Sequence, residues 1–489
     1  MTSRAIHLGV LAAYMLVMVV IGLVATRRTR TADEFHLAGR GIGAWVTALS
    51  YVAAYFSSVV IIGGGAVADR YRMAPLWIGA ANVLIGAALV WIVLGRRVRL
   101  FTERLSTMTV PGFLAERFRA PEARVLGSLV IGLFLIIYNV SILKGMGNAF
   151  EVLLGVPYIW GVLVSGAVIL LYVALGGYLA VVWTGFFQAW VMGAGLILLT
   201  VATLKAVGGL TAANVALAQT SRALVDTPGA WGWAGLVSYA LITSFGVWGM
   251  PQMVVRFYSI KSVKVLRVGT VLATLGCSMA ALPYLDGAIA RVLLPELANP
   301  DQAIPMLTRT VLSPWGSALF LAGVMAAGMS TFSAVLIITS SAVVKDFIQD
   351  GLGRKLESRS ALRASRLASV VVGLISLAIA LRPPALVLVL MGFSWAVIAS
   401  TCLWPIVFGI YWKRATRWGV LASMGGGLLA SLVWMAVGSP FGLHGFIPGI
   451  AVSLILLVGV SLATPRLPEA LLDRAWGAGR AGDSVSRAA

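Results

Sequence analysis

Apolar residues in this chain run on for about 20 positions at a time, without the alternation of a half-buried strand or the polar stripe of a surface helix, and then stop at short polar breaks. The pattern predicts thirteen membrane-crossing helices at roughly 5–26, 42–68, 72–95, 122–152, 157–176, 179–206, 230–252, 266–293, 312–344, 364–381, 384–412, 418–437 and 444–463. The first run has its basic residues after it and no small-x-small cleavage site before them, so it reads as a retained helix rather than a signal peptide.

Two predicted helices interrupt themselves. AAYFSSVVIIGGGAV (Ala53 to Val67) mixes small, polar and aromatic residues with a triple glycine, and TSFGVWGMPQ (Thr243 to Gln252) packs two glycines and a proline into ten positions. Each falls in the first helix of a five-helix block. Interrupted helices at matching places in two halves point to an inverted-repeat transporter whose site lies at mid-membrane, where unwound backbone supplies ligands without side-chain charge. Glycine used only for close helix packing would give the same letters in either helix alone.

Composition agrees with the pattern. The 489 residues are 60% hydrophobic and 11% charged, with a mean hydropathy of +0.96, too few polar groups to clothe a water-soluble surface. Most of the 37 Lys and Arg, among them Arg27, Arg28, Arg30, Arg96, Arg97, Arg99, Lys413 and Arg414, fall in the breaks after odd-numbered helices and in the tail. That asymmetry puts the C-terminus in the cytoplasm and the N-terminus outside, in a cell membrane. The net charge of +20 thus belongs beside anionic lipid, and no nucleic-acid partner or obligate protein partner is expected. Cys277 and Cys402 sit inside predicted helices without a metal-ligand or redox spacing.

The chemistry of the interior is neutral oxygen. No carboxylate or histidine lies at the centre of a predicted helix; Asp286 and Glu151 are the most embedded acids, and Lys144 is the one embedded base. A proton-driven carrier needs a titratable group there, whereas sodium, a hard cation, suits carbonyl and hydroxyl oxygens. The ninth helix, GVMAAGMSTFSAVLIITSSAVVKD (Gly323 to Asp346), offers Ser330 and Thr331 at mid-span. Bonds to a carbonyl one turn back are the competing role for both hydroxyls, and the expected one for Thr339, Ser340 and Ser341.

Four stretches, in order, resemble the sodium/solute symporters over nearly the whole chain, from Tyr14 to Lys413: EFHLAGRGIGAWVTALS (Glu34 to Ser50), GGYLAVVWTGFFQ (Gly176 to Gln188), FGVWGMPQMVVRFYSIKS (Phe245 to Ser262) and AAGMSTFSAVLIITSSAVVKDF (Ala326 to Phe347). The resemblance implies an all-α LeuT-type inverted-repeat fold. A leading helix and loop (1–41) precede the first repeat (42–206) and the second (230–412), and two trailing helices (418–463) and a cytoplasmic tail (464–489) follow. It also implies a sodium site formed by the carbonyls of Ala53, Phe56 and Ala327 and the hydroxyls of Ser330 and Thr331. Tyr55 and Gly185 stand where some members of the family carry acids, which points to one sodium per cycle.

The cluster around Tyr55 and Ser57 resembles the pantothenate and monocarboxylate branch, and the expected cargo is a small organic solute carrying a carboxylate, with a neutral or zwitterionic amino acid or sugar as the alternative. Lys144 is a candidate counter-charge for such an anion, or else snorkels outward or pairs with Glu151. Tyr55, Ser57, Tyr138, Thr243, Trp248, Phe393 and Trp395 are the remaining candidates for lining a solute cavity. A membrane enzyme would need a converging nucleophile, acid and base or a metal cluster, and the chain has neither HExxH nor GxSxG. A channel would show a charge ring or filter loop. No appended signalling domain is expected, since the chain runs only to 489 beyond the last helix.

Overall fold

The computed structural model describes residues 3–27, 29, 31–354 and 356–477; Arg28, Arg30 and the tail beyond 477 lie outside these. The described residues form an all-helical bundle: α1 (Ser3–Thr26), α2 (Ala44–Tyr55), α3 (Val59–Tyr71), α4 (Leu76–Arg104), α5 (Pro121–Leu154), α6 (Tyr158–Ala206), α7 (Gly229–Gly249), α8 (Pro251–Ser259), α9 (Val265–Leu293), α10 (Pro314–Gly351), α11 (Ser358–Ala380), α12 (Val387–Tyr411), α13 (Arg417–Ala436) and α14 (Phe446–Ala463). Eleven are long and apolar enough to cross a membrane, and α2 with α3 makes a twelfth crossing bent by 46°. Leu16, Leu84, Ile92, Leu133, Leu275, Leu367 and Ile455 point outward and exposed, as a lipid-facing surface requires.

The fifth and sixth predicted helices form one 49-residue element, α6. Straight, it would span roughly 74 Å against a hydrocarbon layer of roughly 30 Å. Gly177 resolves the mismatch: its φ of 57° and ψ of −152° break the helical path in a region only glycine occupies without strain. On the near side of the break Tyr172 packs against Gly22, and the Gly176 carbonyl accepts from Thr29 Oγ1 at 3.0 Å. On the far side Gln188 Nε2 donates to Tyr14 Oη at 3.0 Å. Both limbs therefore retreat along α1 towards its N-terminus, so α6 is a hairpin of two crossings.

α10 is the central helix, with its apolar stretch wholly buried. Small residues let it approach its neighbours closely: a methyl group on Gly323 would touch the Met192 backbone of α6, and one on Gly195 would touch the Phe320 backbone of α10. The two interrupted helices, α2–α3 and α7–α8, run side by side and antiparallel. At one end Ile42 N donates to the Ser259 carbonyl and Lys261 N to the Ile42 carbonyl, further in Arg256 Nη1 donates to Ser50 Oγ, and near the breaks Tyr55 Oη donates to the Thr243 carbonyl at 2.9 Å.

Candidate transport site

α2 stops where its sequence stops favouring a helix. Phe56 has φ −84° and ψ 81°, Ser57 and Ser58 follow, and the chain restarts as α3 with its axis turned. The Ser57 hydroxyl accepts from Val59 N at 3.2 Å, capping the restart. In the partner, α7 tightens into a 3₁₀ turn over Gly246–Gly249, Met250 is extended, and Pro251 opens α8, the position a proline favours because its missing N–H would be unpaired there. The carbonyls at the end of α2 therefore lack the amides that a continuing helix would supply.

α10 fills that gap with hydroxyls. Ser330 Oγ lies 2.7 Å from the Ala53 carbonyl and 2.8 Å from that of Ala327. Thr331 Oγ1 lies 3.0 Å from the Ala54 carbonyl and 3.2 Å from that of Ala327. Three carbonyls and two hydroxyls thus converge between α2 and α10, all buried and none charged. Each hydroxyl lies within hydrogen-bond reach of a carbonyl on its own helix and of one on α2, and its single proton is shared between the two. Thr339, Ser340 and Ser341 only bond back to Val335, Ile337 and Ile338, the purely local role expected of them. Thr331 reaches the Ala54 carbonyl, and the backbone turns at Phe56, the next expected oxygen.

The solute candidates divide. Tyr55, Thr243, Trp248, Tyr138 and Trp395 are buried around the two breaks. Tyr55 and Thr243 are tied together as described, Trp248 Nε1 donates to the Ile85 carbonyl at 3.1 Å, and the Tyr138 and Trp395 rings meet edge to face at 5.6 Å. Phe393 packs on Phe134 at 5.6 Å, half-buried. Lys144 has partners inside the protein. Its Nζ lies 3.2 Å from Asp301 Oδ2 and donates to the Ala385 carbonyl at 2.9 Å, while Glu151 is exposed. Asp301 comes from a short turn (Pro300–Gln302) whose start is capped by the Asn299 side chain; this turn folds down between α5 and the start of α12. The lysine's charge is thus balanced within the protein by Asp301.

Oxygen ligands at a helix break are what an alkali-cation carrier needs, and comparison with known proteins decides which carrier. The family model described as "Sodium:solute symporter family" matches residues 35–427. The chain belongs to that family. Sodium:solute symporters are transporters, not enzymes, and use the sodium ion. The chain is 30% identical over 477 residues to the "Osmoregulated proline transporter OpuE" of Bacillus subtilis (strain 168), covering 95% of this chain and 96% of that one. It is also 30% identical to the "Sodium/proline symporter" of Staphylococcus aureus (strain JH9), covering 95% and 93%. Among solved structures, a Na+-coupled sialic acid symporter superimposes with a TM-score of 0.80 at 20% identity, covering 94% of this chain and 98% of the other. MhsT superimposes with a TM-score of 0.55 at 13% identity. These likenesses establish the LeuT-type fold for this symporter.

Two features escaped the sequence. Asp301 is buried, yet nothing local to it announces a membrane ion pair; the Asn299-Pro300-Asp301 turn signal says only that the chain reverses there. Asp286, expected near the end of its helix, is fully enclosed in α9 and accepts from Thr200 Oγ1 at 2.8 Å.

Proposed function

We propose that this symporter carries one sodium ion together with a small zwitterionic solute bearing a carboxylate, an amino acid such as proline being the first candidate, and takes both into the cell. Sodium binds among the oxygens of Ala53, Ala54, Ala327, Ser330 and Thr331, with the Phe56 carbonyl brought in by a small rotation of the break. The observation that carries the solute class is the Lys144–Asp301 pair. With the lysine neutralised, the best-matched cargo is one whose own charges cancel, and the relatives named for proline fit that description. The chain sits in the cell membrane with its N-terminus outside and its C-terminus in the cytoplasm, on the distribution of basic residues. On this reading Tyr55, Ser57, Tyr138, Thr243, Trp248, Phe393 and Trp395 line the solute cavity, and helix-bundle rocking exposes the site to one side at a time.

Uptake of radiolabelled L-proline into proteoliposomes under an inward sodium gradient tests the reading. Uptake is expected with sodium, and none with potassium, or with a proton gradient alone. Concentrative uptake under a pH gradient without sodium would overturn the sodium coupling. Preference for a simple monocarboxylate or a sugar over proline would overturn the solute class.

A further inference from the structure

Gln252 is 2% exposed, yet among the described residues neither its Oε1 nor its Nε2 has a hydrogen-bond partner. A primary amide holds two donors and a two-lone-pair acceptor, and burying all of them empty is among the costlier arrangements a core can contain. Its place in the fold says what belongs there. Gln252 is the second residue of α8. One helical turn further on, Arg256 on the same face reaches Ser50 of α2. Since α8 runs antiparallel to α2, with Ser259 beside Ile42, Gln252 faces α2 about one turn beyond Ser50, level with Ala53 and Ala54. Their carbonyls are the ones that Ser330 and Thr331 meet.

We infer that Gln252 is the side chain that grips the transported solute beside the sodium oxygens, and that this solute presents both a carboxylate and an N–H. Nε2 donates to the carboxylate and Oε1 accepts from the protonated amine. A simple carboxylate would leave Oε1 empty, and a sodium ion at Oε1 would leave Nε2 empty; a zwitterion satisfies both ends of the amide. This rests on the symport reading above and adds to it a specificity-determining contact.

The test is sodium-driven proteoliposome uptake of L-proline, of N,N-dimethylproline, which keeps the carboxylate but has no N–H, and of prolinamide, which keeps the N–H but has no carboxylate. The proteins are the wild type, Gln252→Met and Gln252→Asn. The wild type is expected to favour proline over each analogue by on the order of 10- to 100-fold in KM. Gln252→Met raises the proline KM by a similar factor, leaves kcat and sodium-dependent thermal stabilisation in place, and shrinks the preference over both analogues to within about threefold. Gln252→Asn, which keeps the amide one methylene back, falls between the two, and so reports the contact even if the methionine variant folds poorly. An unchanged KM in both variants, equal losses for all three solutes, or loss of the sodium response along with proline affinity would overturn the role of Gln252 while leaving the symport reading standing. No sodium-dependent proline uptake by the wild type would overturn the solute class, and the grip inferred from it as well.

Discussion

Lys144 Nζ and Asp301 Oδ2 stand 3.2 Å apart, the acid 2% exposed and the base 14%. The pair joins α5 to the turn that lies over it, and through Ala385 to the segment entering α12. Removing one partner leaves the other charge buried and alone. Lys144→Met and Asp301→Asn are each expected to lower stability by about 3–5 kcal/mol, measured as thermal unfolding of the detergent-purified protein, and the double variant Lys144→Met/Asp301→Leu to recover most of it. A stable Lys144→Met single variant that loses only solute affinity would return the lysine to the transport site.

Sodium is expected to raise the unfolding temperature where potassium or choline at equal ionic strength does not, because a ligand that binds only the native state stabilises it by mass action. Ser330→Ala/Thr331→Ala should abolish that increment. Each deletion also costs roughly 1 kcal/mol of basal stability, since the hydroxyls bridge α10 to α2 without an ion. An undiminished sodium response in the double variant would move the ion elsewhere.

Gly177→Ala should be among the most damaging single-methyl changes in the protein. The φ of 57° costs an L-residue on the order of 1–3 kcal/mol, and the new methyl would sit 2.7 Å from the Phe35 ring and 2.9 Å from its carbonyl. Low yield of folded protein or a sharply lowered unfolding temperature is the expected result; wild-type behaviour would mean that the hairpin of α6 turns by another route.

Acid should weaken the fold through two histidines outside the crossings. Burial holds His36 down at about 4, with Lys345 adding to the effect, and burial alone does the same for His444. Both pKa values fall below the 6.5 of an unfolded chain, so the unfolded state binds more protons between them. Their contribution is complete above about 6.5 and drains away as pH falls towards 4. Comparing unfolding temperatures from pH 7.5 to 4.5, the wild type should lose stability more steeply than His36→Gln/His444→Gln. Parallel slopes would show that neither ring is held neutral.

What could be read in the sequence depended on whether its cause was local. The interruptions at Phe56 and at Gly246–Pro251 are written in glycine, serine and proline, whose backbone preferences act within a few residues, and Ser330 and Thr331 stand out as adjacent hydroxyls in an apolar run. The approach of Thr331 to the Ala54 carbonyl depends on how the helix ends at Phe56, which no side chain advertises. The Lys144–Asp301 pair joins residues far apart in the chain, and the hairpin of α6 turns on a single glycine between two apolar runs, too short a break to fix its geometry in advance.

The bonds Tyr55–Thr243, Trp248–Ile85 and Arg256–Ser50 lash the interrupted helices and α4 together at three depths, whereas the oxygens proposed for the cation are divided between α2 and α10. An ion bound there, as proposed, would add its own tie to a seam that the Ser330 and Thr331 hydroxyls already bridge. On that proposal its departure would loosen the seam without loosening the lashed helices, so the energy of an ion gradient would be delivered at a joint rather than dissipated through the fold.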